Sequence, residues 1–548
     1  MSRHLARFAA LVLLAGTASL AVNPNVFAED IPSAKAKEAP KGLDDDQRIV
    51  HFLNRFTLGC TPALVAEVKA KGLKAWLQAQ LMGTEKEPQF LRDRLTDMRS
   101  LELSSAQIAD QFVEKPGKDA TPRERREARE LENTPARELT DSIILRGVYS
   151  ANQVREVSAD IFRNHFAVSL DKGPVKLMAV DYERNVVRRY ALDQFGAMLK
   201  ASAHHPAMLF YLDNCLSCRP ATPEELEAIA RRGKNNPERV ERARQRGLNE
   251  NYARELMELH TLGVDNYYTQ DDVINVAKCL TGWGISPRHE ENPLAFWFRA
   301  DFHSTGDKTV LGQTIKPNIY NPQAEGEEVL DLLIAHKGTA RFIAFKLCRW
   351  LVNDQPSDAV VGRIAAVFEK TKGDLAACYM AIYEDPEFFN TVNYMAKYKR
   401  PFEFAVSALR ATGSEIKDCA AIQRGLVAMA EPLYRCANPT GYYDHAEAWQ
   451  DPGAMSLRWK AAMDLAKGRI PGVKVPDSLY ADLPQDKPEQ WKDRLAAKLL
   501  CVPLSETTSH ALDDYVARAL KDNPRVKARE LGPEIVAGLL GSPEFQKQ

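Results

Sequence analysis

Through most of the chain apolar residues recur every three to four positions, the period of a helix that buries one face. Ile49, Phe52, Leu53 and Phe56 form the first stripe, with Asp44, Asp45 and Asp46 ahead of it as capping residues and Gly59 beyond its end. Thr61-Pro62 pairs an N-cap with a proline at the first helical position, Leu64, Val65 and Val68 make the second stripe, and Gly72 stops it. Trp76, Leu77 and Leu81 mark a third short helix. One stretch departs from this rhythm. Residues 296–303 alternate at period two, residues 304–308 have turn chemistry, and residues 309–315 form a second extended run, so a small β-hairpin is expected near residues 295–315. Helical patterning resumes near Glu325 and includes the strongly apolar residues 340–352. The expected fold is mainly α, a large multi-helix bundle-like arrangement with one small hairpin. An N-terminal helical lobe over 44–322 and a C-terminal helical lobe over 323–548 are the expected units.

The amino terminus has a different pattern. Arg3 and Arg7 precede the apolar residues 8–22, and Val26-Phe27-Ala28 offers a small-residue cleavage site. This predicts a signal peptide over 1–28, cleaved after about Ala28, and a periplasmic or secreted protein. The apolar stretch is short of the ~20 residues that span a bilayer, and no later segment matches it, so no membrane span is expected after cleavage. Residues 29–43, rich in Lys, Ala and Pro, read as a flexible leader.

Composition narrows the function. The 548 residues are 45% hydrophobic, enough for a large core, and 73 basic residues nearly balance 74 acidic ones. That balance gives no chain-wide basic field for nucleic acid. Charge is instead local. Residues 115–140 read as a solvated helix with both signs interleaved, and residues 219–248 read as an exposed charged insertion. An exported protein can hold disulfides, and nine cysteines are present. Cys215 and Cys218 are the only close pair, readable as a local disulfide or as two free thiols. No haem-attachment, nucleotide-binding or metal-ligand motif occurs, so the cofactor is unknown and no metal ligands are assigned.

Candidate chemistry centres on residues 249–260. Asn249 is a good N-cap. On an ideal helix Tyr252, Ala253, Leu256, Met257, Leu259 and His260 share one arc, while Glu250, Asn251, Arg254, Glu255 and Glu258 share the other. Glu250, Arg254 and Glu258 are spaced for a charge ladder, which is either a solvated face or a carboxylate pair held by arginine over a cleft. His260 lies mid-stripe, and so does His165, next to Asn164 on a helix over 154–168. A buried imidazole needs a hydrogen-bond partner. The two are either satisfied core histidines or one shared polar site with a carboxylate such as Glu255 or Asp213, able to do acid–base work or hold a metal. Trp283, presented between Gly282 and Gly284, is a core plug or a ligand platform.

These residues also carry a likeness. Asn249-Glu-Asn-Tyr-Ala-Arg-Glu-Leu-Met-Glu-Leu-His-Thr-Leu-Gly263, with Tyr268-Thr-Gln-Asp-Asp272 and Leu280-Thr-Gly-Trp283, resembles the signature of the bacterial domain-of-unknown-function 1800 (DUF1800) family. His51-Phe-Leu-Asn-Arg-Phe56, Asn164-His-Phe166, residues 205–214 ending in Asp213-Asn214, Lys399-Arg-Pro-Phe402, and Asn438-Pro-Thr-Gly-Tyr442 with Trp449 resemble its other blocks. The resemblance implies a secreted, mainly helical protein and brings no catalytic set. It implies a gene neighbour from another secreted family, domain-of-unknown-function 1501 (DUF1501). Three functions follow as expectations. The first is an acid–base pocket acting on an extracellular or periplasmic substrate, with His165, Glu255, Glu258 and His260 as catalytic candidates. Asn164, Asp213, Asn214, Asn249, Glu250, Asn251, Arg254 and Trp283 are its binding candidates. The second is a non-catalytic partner or assembly factor for another secreted protein, such as a DUF1501-type neighbour. The third is a metal-binding protein.

Overall fold

The computed structural model describes residues 42–232, 237–264, 267–287, 290 and 292–548. The expected signal peptide, most of the leader and positions 233–236 of the charged insertion lie outside these residues. The fold is mainly α: helix accounts for 63% of the described residues, whose strands are confined to three two-stranded sheets.

The local signals act as expected at the start. Asp44 caps the helix Asp45–Phe56 in a reciprocal box with Gln47. Thr61 and Pro62 open Pro62–Lys71, and Gly72, at φ 83°, closes it. Leu73–Met82 then buries Trp76 and Leu77. The charged run expected as a helix over 115–140 is helical only from Pro122, where a 28-residue helix, Pro122–Tyr149, begins after the cap Thr121; its exposed N-terminal turns give way to burial from Pro135 onward. The charged insertion contains two helices, Pro223–Arg232 and Pro237–Arg244, with Ala243 as its buried residue in the second. One continuous hydrophobic cluster runs from Leu43 to Phe545 and draws on both halves of the chain.

The single expected hairpin is replaced by two. Residues 296–298 do not pair with residues 309–315. Phe296–Phe298 pairs antiparallel with Trp283–Ile285, and Lys308–Val310 pairs with Gln313–Ile315. The reason is the turn chemistry. Leu311 and Gly312 both take positive φ, 49° and 77°, which closes a two-residue hairpin at that point. Residues 296–298 are thereby left to the strand that follows Gly282.

Helical geometry also changes where the projection assumed it would not. The signature helix is α only over Asn251–Glu255 and continues as a π-helix over Leu256–Leu262. Thr261 Oγ1 donates 2.7 Å to the Leu256 carbonyl, five residues back. A second π-helix, Glu183–Arg188, extends Val175–Tyr182.

Candidate functional site

The two histidines meet. His165, at the end of Gln153–His165, has its ring centroid 6.0 Å from that of His260. Its Nε2 lies 3.1 Å from the His260 carbonyl oxygen. Phe166 and Tyr252 line the same contact. Both rings are buried, at 6% and 1% exposure. Burial, then His260 and Lys346, hold His165 well below its usual pKa, and burial alone holds His260 at about 3. Both imidazoles are therefore neutral. His260 Nε2 has no hydrogen-bond partner, and neither Glu255 nor Glu258 is among the charges acting on the rings. The geometry brings the histidines together and leaves these carboxylates on the opposite, half-exposed arc.

Glu255 has different company. Tyr211, at the end of the short helix Pro206–Tyr211, is 5% exposed, and its hydroxyl has no partner. Burial, then the Cys436 thiol and the Glu255 carboxylate, push the Tyr211 hydroxyl up to about 12. Burial and the nearby Glu258 raise Glu255 in turn. Tyr442 also feels Cys436 and is pushed up by burial and then by that thiol. Its place is set by Asn164, whose side-chain amide donates 2.9 Å to the Tyr442 carbonyl and accepts 2.7 Å from its N–H. Gly441, at φ 74°, permits that approach, because a Cβ there would lie 2.3 Å from the Asn164 carbonyl oxygen. Two ion pairs border the group. Lys172 bonds Asp213 at 2.9 Å and also the Tyr211 carbonyl, and Arg435 bonds Asp171. Segments separated by hundreds of residues are thus linked in series, Glu255 to Tyr211, Tyr211 to Cys436 and Cys436 to Tyr442.

The other candidates serve as ties. Arg254 bonds Gln270 at 2.8 Å and pairs with Glu250 at 3.5 Å, while Gln270 donates 2.7 Å back to Glu250. Asn249 accepts 3.0 Å from the Asn251 N–H, and Asn251 donates 3.3 Å to the Leu212 carbonyl. Asn214 is fully buried and donates to the carbonyls of Leu280 and Trp283. Trp283 is fully buried, stacked 4.5 Å from His204. Cys215 and Cys218 are free thiols, so the local bridge is not formed. Extended Ser217 (ψ 125°) carries Cys218 off the turn that holds Cys215, and the Cys218 N–H is committed to the Gly247 carbonyl at 3.1 Å.

Sequence patterning missed Tyr211 and Cys436 as site residues, and it missed a buried ionic cluster. Arg163 bonds Glu183 at 2.8 Å and Asp160 at 3.1 Å, Arg400 bonds Asp160 and Glu431, and Tyr434 donates 2.6 Å to Glu183. Arg188 clamps Glu156 at 2.7 Å and 2.8 Å. Asp160 and Arg163 at i, i+3, in the helix that carries the apolar stripe Val154, Val157 and Ile161, were the available signal. Burial lifts Glu431 to about 7 despite Arg400. Among the described residues no three His, Cys, Asp or Glu side chains are grouped to hold a metal ion, and no helix is long and apolar enough to cross a membrane.

Fold and site together define a mainly α-helical protein with a buried histidine pair and a buried tyrosine whose carboxylate neighbour, Glu255, is half-exposed. The chain belongs to the family described as "Protein of unknown function (DUF1800)", whose model matches residues 51–547. Neither a curated protein nor a solved structure matches it.

Proposed function

We propose that this is an exported protein whose group at Glu255, Tyr211 and Tyr442 performs acid–base chemistry on an extracellular or periplasmic substrate. The observation that carries the reading is the buried, unpartnered Tyr211 hydroxyl beside a half-buried carboxyl with a raised pKa. A buried hydroxyl without a partner is costly, and a substrate oxygen that accepts from it removes that cost. Glu255 can retain a proton at higher pH than an ordinary glutamate, as a general acid requires. Tyr211, with a pKa far above neutrality, stays a hydrogen-bond donor, as stabilisation of a developing oxyanion requires. The Lys172–Asp213 and Arg435–Asp171 pairs offer charges at the rim to a polar substrate. His165 and His260 act as positioning residues in this reading, holding the π-helix that carries Glu258 and follows Glu255.

A panel of chromogenic esters, glycosides and peptide substrates tests the reading with the purified protein. Turnover is expected in the unsubstituted chain, with a loss of about 10²-fold or more in Glu255→Gln and a comparable loss in Tyr211→Phe, while both variants keep the parent melting temperature. No turnover across the panel, or turnover unchanged by both substitutions, overturns it. Cell fractionation with N-terminal sequencing tests export, with cleavage expected after about Ala28.

One observation favours a second reading, a non-catalytic partner of another secreted protein such as a DUF1501-type neighbour. Ile319 and Tyr320 are 79% and 93% exposed on the loop that leads into Ala324–Ala335, and adjacent large apolar side chains so exposed fit a contact surface. Ile319→Ser with Tyr320→Ser is expected to abolish co-purification of that partner and to leave Glu255-dependent turnover unchanged.

A further inference from the structure

The cysteines of the opening and closing segments meet. Cys60 lies in the short connection between the first two helices, and Cys501 lies just beyond the helix Trp491–Leu499. Both are free thiols, and each thiol lies within the other's electrostatic reach, Cys501 helping to push Cys60 up. Two neighbours corroborate the contact, since Tyr394 and Lys399 each feel both sulfurs. The flanking helices Pro62–Lys71 and Trp491–Leu499 also pack together. Cys60 is buried at 8% exposure. Cys501 is half-buried and lines a cavity of about 950 Å³ with Val50, Tyr394, Leu504 and Lys547. One thiol is therefore reachable from solvent and the other sits behind it.

We propose that Cys60 and Cys501 are a disulfide-forming pair that locks the N-terminal helices to the C-terminal ones. The proposal is independent of the Glu255 group. The oxidant is a small-molecule or protein disulfide. The Cys501 thiolate attacks one of its sulfurs, forming a mixed disulfide and releasing one thiol, which takes the proton lost by Cys501. Cys60, as thiolate, then attacks the Cys501 sulfur, forming the Cys60–Cys501 bond and releasing the second thiol, which takes the Cys60 proton. Two electrons pass from the cysteine pair to the oxidant. Burial and then Cys501 hold the Cys60 thiol up, and Lys399 and Arg410 offset this only in part.

The test uses the purified full chain, reduced, freed of reductant and then exposed to oxidised glutathione, so its outcome does not depend on where the protein resides in the cell. Alkylation, digestion without reductant and mass spectrometry are expected to recover one linked peptide pair containing Cys60 and Cys501, lost after reduction. Cys60→Ser is expected to stop at a glutathione adduct on Cys501, and Cys501→Ser to leave Cys60 unmodified. Oxidation is expected to raise the melting temperature of the parent chain and not that of Cys501→Ser. Two freely alkylated thiols, a stable glutathione adduct on Cys501 in the parent chain, or a link from either residue to a different cysteine overturns the proposal. The parent chain alone decides the connectivity, so a variant that fails to fold leaves the test intact.

Discussion

Three buried imidazoles carry a consequence for acid stability. His51 is held at about 3, chiefly by burial and then by Arg55, His260 is at about 3, and His165 is well below its usual value. Each has a folded pKa below its unfolded value near 6.5. Between those values the unfolded chain binds more protons, so stability is fully present above about pH 6.5 and is lost as pH falls toward 3. Each histidine contributes a slope of up to about 1.4 kcal/mol per pH unit. Urea unfolding followed from pH 7 to pH 4 is expected to show this decline, and His260→Asn is expected to flatten it by about one proton. An unchanged slope in that variant sinks the assignment. His165 and His260 were visible in the sequence as mid-stripe polar residues. Their neutrality was not, because it depends on what surrounds them.

Among the secondary-structure elements, the π-helix Leu256–Leu262 and the loop 438–442 show how local geometry builds the site. An α-helix projection assigns side chains at 100° per residue, and the π-helix widens each turn. The arcs read from sequence therefore hold up to Leu256 and drift beyond it. Glu255 lies before the drift and His260 after it. The loop depends on Gly441, which satisfies both a positive φ and a close approach to Asn164. Gly441→Ala is expected to destabilise the chain by about 1–3 kcal/mol and to release Tyr442 from Asn164. Denaturant unfolding measures the first effect, and faster amide exchange at Tyr442 reports the second. The hairpins teach a related lesson: period-two alternation identified extended segments, but the turn residues Leu311 and Gly312 chose the partners.

Across the whole molecule the buried ionic cluster joins residues 156–188 to residues 400–434. Arg400 bonds two carboxylates there and lies 4.3 Å from the centre of the Trp350 ring. Arg400→Met leaves Asp160 and Glu431 buried without that partner, and removing one member of such a network costs about 3–5 kcal/mol. Equilibrium urea unfolding is expected to show that loss, and a change below about 1 kcal/mol contradicts the structural role given to the cluster.

Helical period, caps and turn residues are properties of neighbours along the chain, so the mainly α class and the first helices were legible without coordinates. The 249–260 segment was legible for the same reason, as was the pairing of polar His165 and His260 with apolar faces. Which groups surround Glu255 was decided only in three dimensions. Tyr211 comes within electrostatic reach of Glu255 and of Cys436, and Tyr442 within reach of Cys436, from segments far apart in the chain, and burial is the first cause of each raised proton affinity. The Cys60–Cys501 contact and the Asp160–Arg400 bond arose in the same way: packing across long sequence separations sets distance and dielectric, and no local periodicity encodes either.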